Sequence, residues 1–189
     1  MARGLSNVVA FDDAPFAREH RGDVPLVGAV FAGVRLDGVL IGRVRRDGAN
    51  ATRAMSALVA GSHFAGHVQA VLLQGIAVAG FNVVDIAALH EALGLPVLVV
   101  ARRQPDMEGV RKALFGGRVP GGAHKWRLVE KAGPMEPVAG LWVQRAGLTL
   151  AEADHMLRRL RLHGLLPEPI RVAHLIAGAL GTGHSRGRA

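Results

Sequence analysis

The chain has 189 residues, no cysteine, and 23 Lys and Arg against 15 Asp and Glu, a formal net charge of +8. That length suits one compact domain with a proper core. The lack of cysteine excludes disulfide frameworks, thiolate zinc sites and cysteine nucleophiles together.

No apolar run approaches the roughly 18–20 residues that span a bilayer, and the first residues lack the apolar core of a secretory signal. The expectation is a cytoplasmic protein with no membrane partner. The positive balance points to an anionic partner, nucleic acid first. Twenty of the 23 basic residues are Arg in an Ala-, Gly- and Val-rich chain, so compositional drift is the competing source of the charge. With no Tyr, two Trp and six Phe, an extended base-stacking surface is not expected.

In chain order, Asn7–Phe11 reads as a short apolar strand ending at Asp12-Asp13, and Pro15–Pro25 as a polar loop. Leu26–Phe31 and Val39–Val44 are β-branched strands, with Asp37-Gly38 the strong hairpin signal and Gly33 a rival turn position. Asp47-Gly48 breaks the second of these, and Ala51–Ala60 has helical composition. Strand–helix alternation follows, with a strand over Val68–Leu73 and a helix over Val84–Leu93 closed by Gly94 and Pro96. Val97–Val100 is a buried strand and Met107–Phe115 a helix, whereas Gly116–Pro137 reads as an irregular excursion. Leu141–Gln144 is a short strand, and Thr149 with Glu152 predicts a capping box for a helix to about Leu162. Pro169 opens a last helix, Ile170–Leu180, and the Gly-rich basic tail is expected to be mobile.

This order has a natural solution. The hairpin lies antiparallel beside the first strand, and the later strands run parallel to it through right-handed helical crossovers. The result is an α/β fold, a ribonuclease H-like mixed sheet of strand order 3-2-1-4-5 with helices on both faces. The whole of residues 1–189 is expected to form one such domain with a C-terminal helical extension. The first and fourth strands are then parallel neighbours, so Asp12 and Gln74 meet at their carboxyl ends, where open α/β sheets place their sites.

Several segments together resemble a known family. They are FDDAPF at Phe11–Phe16, VGAVFAGVRLDGVL at Val27–Leu40, DGANAT at Asp47–Thr52, GIAVAGFNVVDI at Gly75–Ile86, GLPVLVVARRQPD at Gly94–Asp106 and PEPIRVAHLIAGALGTGHSRGRA at Pro167–Ala189. The sequence is similar to the archaeal and bacterial endonuclease dU family, related to endonuclease V among the ribonuclease H-like nucleases. The resemblance implies a metal-dependent endonuclease, a hydrolase of DNA repair acting on deoxyuridine-containing DNA. It also implies Asp at position 74, where this chain has Gln.

Phosphodiester cleavage of this class uses Mg²⁺ or Mn²⁺ to activate water and neutralise the departing oxygen. Such ions prefer oxygen ligands, usually one or two carboxylates plus water and phosphate oxygens. Asp12 is the best carboxylate, with Asp13 pointing to the opposite face unless a turn brings it round; the alternative is that Asp12-Asp13 simply start the loop. Asp47 is the best third catalytic acid, or equally a plain turn residue. Gln74 offers an oxygen without charge. Asp85 is a substitute metal ligand or, equally, a residue serving the dipole of its helix.

For nucleic acid, Asn82 is a candidate for a base edge or a phosphate. Phe81 is a candidate wedge beside a distorted base step, although core packing is the commoner fate of a Phe. Arg171 and His174 share a helix face, and with Ser185 and Arg186 they are candidate DNA contacts. Arg158, Arg159 and Arg161 are phosphate contacts or an ordinary solvated face. His63 and His67 have no acidic neighbour of the zinc-protease type. No phosphate loop or nucleophile elbow is present.

Overall fold

The structure, a computed structural model, describes residues 4–185. Arg186 therefore lies outside the described residues. The elements run β1 (Asn7–Asp13), β2 (Asp23–Ala32), β3 (Arg35–Arg45), α1 (Ala51–Ala60), β4 (Ala70–Gln74), β5 (Ala77–Val78), β6 (Asn82–Val83) and α2 (Ile86–Leu93). They continue with β7 (Val97–Ala101), α3 (Met107–Phe115), α4 (Gly122–Lys131), β8 (Glu136–Val138), β9 (Leu141–Ala146), α5 (Leu150–Arg159) and α6 (Glu168–Thr182).

The main sheet has the order β3-β2-β1-β4-β7-β9-β8. Its first five strands are the expected ribonuclease H-like set, with β2 antiparallel to β1 and both β4 and β7 running parallel. The Leu141 strand does not sit apart. It joins β7 antiparallel and brings β8 as the new sheet edge.

Side-chain alternation along these strands builds two cores. Val9, Phe11, Val71, Leu73 and Val97 pack on one face with Met55 and Val59 of α1 and Leu89 of α2. Val8, Ala10, Leu72, Leu98 and Val100 pack on the other with Met156 and Leu157 of α5 and Ile170 and Ala173 of α6. Helices therefore cover both faces. Because the side-chain period of a strand is two, this alternation also decides which way each strand-end residue points.

Two local expectations change. The β2–β3 hairpin turns at Gly33, whose φ of 62° suits glycine, and not at Asp37-Gly38. Those residues lie inside β3, where the register shifts opposite Val30 and Phe31. The Phe64 ring packs on Gly38 there, where a Cβ would stand 2.2 Å from it and force the ring to move. The supposed irregular excursion contains α4, whose Val129 and Lys125 are buried. A short hairpin, β5–β6, also stands after β4.

Other local signals hold. Gly94 closes α2 in the left-handed conformation, and Thr149 and Glu152 form the reciprocal capping box of α5. Among the described residues no helix is long and apolar enough to cross a membrane.

Candidate functional site

The site is set by the pairing of β1 with β4. Phe11 lies opposite Leu73 in parallel register, so Asp12 and Gln74 are the next residues along neighbouring strands, whose spacing is about 4.8 Å. Both follow the parity of Ala10 and Leu72, so both side chains face the α6 layer. There His174 Nδ1 of α6 is hydrogen-bonded to Asp12 Oδ2 at 2.8 Å, the ring N–H donating whenever the carboxyl is ionised. The Asp13 amide donates to the other oxygen, Oδ1, at 2.9 Å. Burial pushes the Asp12 carboxyl up from its ordinary value, while His174 and the Asp13 amide act against that rise.

Gln74 brings a buried carbonyl oxygen to this face. Among the described residues Gln74 Oε1 has no hydrogen-bond partner, and a buried acceptor left in that state is costly. An oxygen of this kind suits a cation or a donor supplied by a ligand.

Asp13 takes the opposite face, because β1 continues through it. Its pKa rises to about 6, chiefly through burial, with the Asp12 charge adding to the rise and the Ala79 amide opposing it. A carboxyl whose folded pKa is raised costs stability above that pKa, and the cost disappears below the unfolded value of about 3.9. Asp13→Asn is therefore expected to stabilise the metal-free protein by roughly 3 kcal/mol at pH 8, and far less near pH 4. Thermal melts in EDTA at both pH values check this; an equal effect at both would contradict it.

Beside these strand ends lies an open cleft of about 1290 Å³. Its walls carry six cations, Arg18, Arg21, Arg45, Arg46, Lys112 and Arg118, against one acid, Asp47. Phe16 and Phe81 also line it, and the Arg46 guanidinium sits 5.3 Å from the Phe16 ring centroid. Arg46 further bonds the carbonyls of Arg18 and His20, which ties the 14–22 loop to the end of β3. Arg45 and Lys112 have exposed ion pairs with Asp23 and Glu108, which compete weakly with a phosphate. The cleft reaches the acids through one turn: Gly80 and Phe81 line it, and the preceding Ala79 amide faces Asp13.

Residues 5–181 match the family described as endonuclease dU. The chain belongs to the endonuclease dU family. It is 61% identical to the UPF0215 protein of Deinococcus radiodurans over 184 residues, covering 97% of this chain and 93% of that protein. It is 41% identical to the UPF0215 protein of Methanothermobacter thermautotrophicus, covering 96% of this chain and 91% of that one. Among solved structures, an Archaeoglobus fulgidus protein of unknown function superposes with a TM-score of 0.87 at 32% identity, over 94% of this chain and 99% of that one. Endonuclease V from Bacillus subtilis gives a TM-score of 0.58 at 12% identity, over 94% of this chain and 81% of that one. The fold is thus that of the endonuclease V group.

The other residues singled out in the sequence take different places. Asp47 spends no oxygen on the strand-end site: Oδ1 accepts from the Phe81 amide at 2.8 Å and Oδ2 from Arg46 Nε at 3.1 Å. It holds a turn at the cleft wall. Asp85 is the N-cap of α2, accepting from the Ala88 amide, and both its oxygens bond Lys131. Burial works against its ionisation, but Lys131 and the Ala88 amide outweigh that and hold its pKa below the usual range. It is engaged as a helix cap and an ion pair. Among the described residues no three His, Asp or Glu side chains form a group able to hold a metal ion.

Asn82 is fully buried. Its Oδ1 accepts from the Ala51 amide, and its Nδ2 donates to the Arg45 carbonyl and to Asn50 Oδ1. It joins β6 to the end of β3 and the start of α1, so it has no atom to offer a base or phosphate. Asn82→Ala is expected to lower stability by roughly 3 kcal/mol by leaving these buried groups unpaired. A chemical denaturation curve checks it, and a loss under about 0.5 kcal/mol would contradict it.

Arg171 holds Glu168 through both Nε and Nη2. Arg158 pairs with Asp154 and Arg161 bonds the Ala139 carbonyl, so the C-terminal basic set is largely engaged within the protein. Ser185 is exposed. Gly181 lies against Pro15 in the loop after β1, which brings the end of α6 to the Asp12 side of the sheet. Phe81 lines the cleft and is half-buried. Residue-by-residue reading missed the cleft cations, which come from the 14–22 loop, the end of β3 and α3 and its following loop. It also passed over Arg102 and Arg103, exposed just past β7 at the same sheet end. Their one sequence signal was position after a buried strand.

Proposed function

We propose that this protein binds DNA through the basic cleft and acts on deaminated, uracil-containing strands as a metal-dependent endonuclease, weakened by Gln74. The observation that carries the reading is the six-cation cleft joined by a single turn to Asp13, the chain neighbour of the Asp12 that pairs with His174. Basic residues gathered on one cleft favour a polyanion, whereas a small-molecule site would not need six of them. The endonuclease dU family and the endonuclease V fold support the nuclease class. A Ciona intestinalis endonuclease V has been solved with DNA containing an inosine, which supports a deaminated base as the target.

The donors fit a hard divalent ion in part. Asp12 would supply a carboxylate and Gln74 its unpartnered buried oxygen, within the preference of Mg²⁺ or Mn²⁺ for oxygen ligands. When bound, such an ion activates water and neutralises charge on the phosphate. The chain's own residues do the rest. His174 orients the Asp12 carboxylate, the cleft cations hold the flanking phosphates, and the Ala79 amide fixes Asp13 beside them.

A second reading, a nucleic-acid-binding protein with reduced cleavage, is favoured by one observation: the strand-end neighbour of Asp12 is Gln74, which brings no charge. Labelled oligonucleotides carrying uracil, hypoxanthine or only normal bases separate the two, assayed with Mg²⁺, Mn²⁺ or EDTA. Metal-dependent cleavage near uracil is expected, slow relative to a fully acidic site. Binding without cleavage selects the second reading, and neither binding nor cleavage overturns both.

A further inference from the structure

Lys125 is a buried cation that no part of the site described above uses. It sits on α4 with 2% of its surface exposed, and lysine is rarely so buried without a carboxylate partner. Here Nζ donates instead to the backbone carbonyl of Asp47, at 2.5 Å. Asp47 has a φ of 49°, in the left-handed region that a residue with a Cβ enters at a cost. Every polar group of Asp47 is then engaged. Its amide donates to the Ala79 carbonyl, its carbonyl takes Lys125, and its carboxylate takes the Phe81 amide and Arg46.

Across the contact, Ala79 and Gly80 are also left-handed, at φ 47° and 83°. A Cβ on Gly80 would stand 2.4 Å from Asp47 Oδ1. Two strained turns are thus locked face to face, and the lock has one buried ionic anchor on a third element. One side of it is cleft wall, formed by Asp47, Gly80 and Phe81. The other side presents the Ala79 amide to Asp13.

We infer that Lys125 is a positioning residue. Through the Asp47 carbonyl it holds the Ala79–Phe81 turn in the shape that joins the cleft floor to Asp13. It touches no substrate itself. The inference rests on the reading that the cleft binds nucleic acid, and it adds the device that sets the cleft's geometry relative to the strand-end acids. A lysine serves this role because its long stem crosses the interior while its ammonium donates to a carbonyl.

The test combines amide hydrogen exchange with oligonucleotide binding on the full chain. In Lys125→Met the Phe81 amide is expected to exchange at least about tenfold faster, while core amides of Val9 and Leu72 keep their protection. Affinity for a fluorescent uracil-containing oligonucleotide should fall about tenfold with an unchanged salt slope, because no phosphate contact has been removed. Gly80→Ala attacks the same lock from the other side and should reproduce both changes. Lys112→Met gives the opposite signature: a slope smaller by about one and an unaltered Phe81 amide.

Unchanged exchange and affinity in Lys125→Met would overturn the inference. So would a reduced salt slope, which would make Lys125 a phosphate contact, and so would loss of core protection, which would make it a residue of the general fold. Failure of the wild-type protein to bind any oligonucleotide overturns the cleft reading alone. The exchange rates of Lys125→Met and Gly80→Ala still decide the lock.

Discussion

Gln74→Asp is expected to raise divalent-ion affinity at least about a hundredfold, since a unit charge about 4 Å from an ion is worth several kcal/mol even at an effective dielectric of about 20. Cleavage should rise with it. In EDTA the same substitution should lower the melting temperature, because a third carboxylate joins Asp12 and Asp13, whose burial already raises both pKa values. Mn²⁺ should restore the loss and carry the variant above wild type, as a ligand bound only to the folded state must. Asp12→Asn in that background should remove both gains, because the two residues share one face of neighbouring strands. Calorimetric Mn²⁺ titration and melts with and without EDTA read these effects. An unchanged Mn²⁺ affinity in Gln74→Asp would place the ion elsewhere or nowhere.

The second large effect is electrostatic. Removing Arg18, Lys112 and Arg118 together takes three of the six cleft cations without touching the Arg46 bonds that hold the 14–22 loop. DNA affinity at low salt is expected to fall about a hundredfold or more, and the log–log salt slope to shrink by about two to three. Arg158→Ala with Arg159→Ala, on α5, should leave affinity within about twofold, since Arg158 already holds Asp154 and exposed helix-face charges contribute little. Anisotropy titrations across a salt series measure both. Equal losses from the two sets would mean that overall charge, and not the cleft, attracts the DNA.

How much of this was legible in the sequence follows from the range of each interaction. The five strands of the ribonuclease H-like sheet were readable because apolar runs and crossovers leave few topologies, and the Asp12–Gln74 neighbourhood followed from strand order alone. The Asp12 contact to His174 was not, because it joins residues far apart in the chain through the way α6 packs on the sheet. Asp37-Gly38 misled, since the same dipeptide serves a tight turn or a bulge, and the Phe64 ring that packs on Gly38 comes from the turn after α1. The Gly and Pro around residues 116–137 masked α4, whose helix begins after a left-handed Gly121.

The site residues show the same limit. Asp47, Asn82 and Asp85 have the right chemistry for a nuclease, and the partners that engage them in a turn, a buried junction and an ion pair come from distant parts of the chain. The cleft was invisible because its cations are scattered singly along the chain and meet only when three segments converge. Charge composition announced an anionic partner but not where it would lie.

The most direct test of nucleic-acid recognition at the cleft is the affinity of the wild-type protein for one oligonucleotide, with uracil or thymine at its centre, over a range of salt. Binding is expected to be tighter to the uracil strand, with a log–log slope corresponding to several phosphate contacts, on the order of −4 to −5 for duplex DNA. A flat salt dependence, with no preference between uracil and thymine, would contradict it.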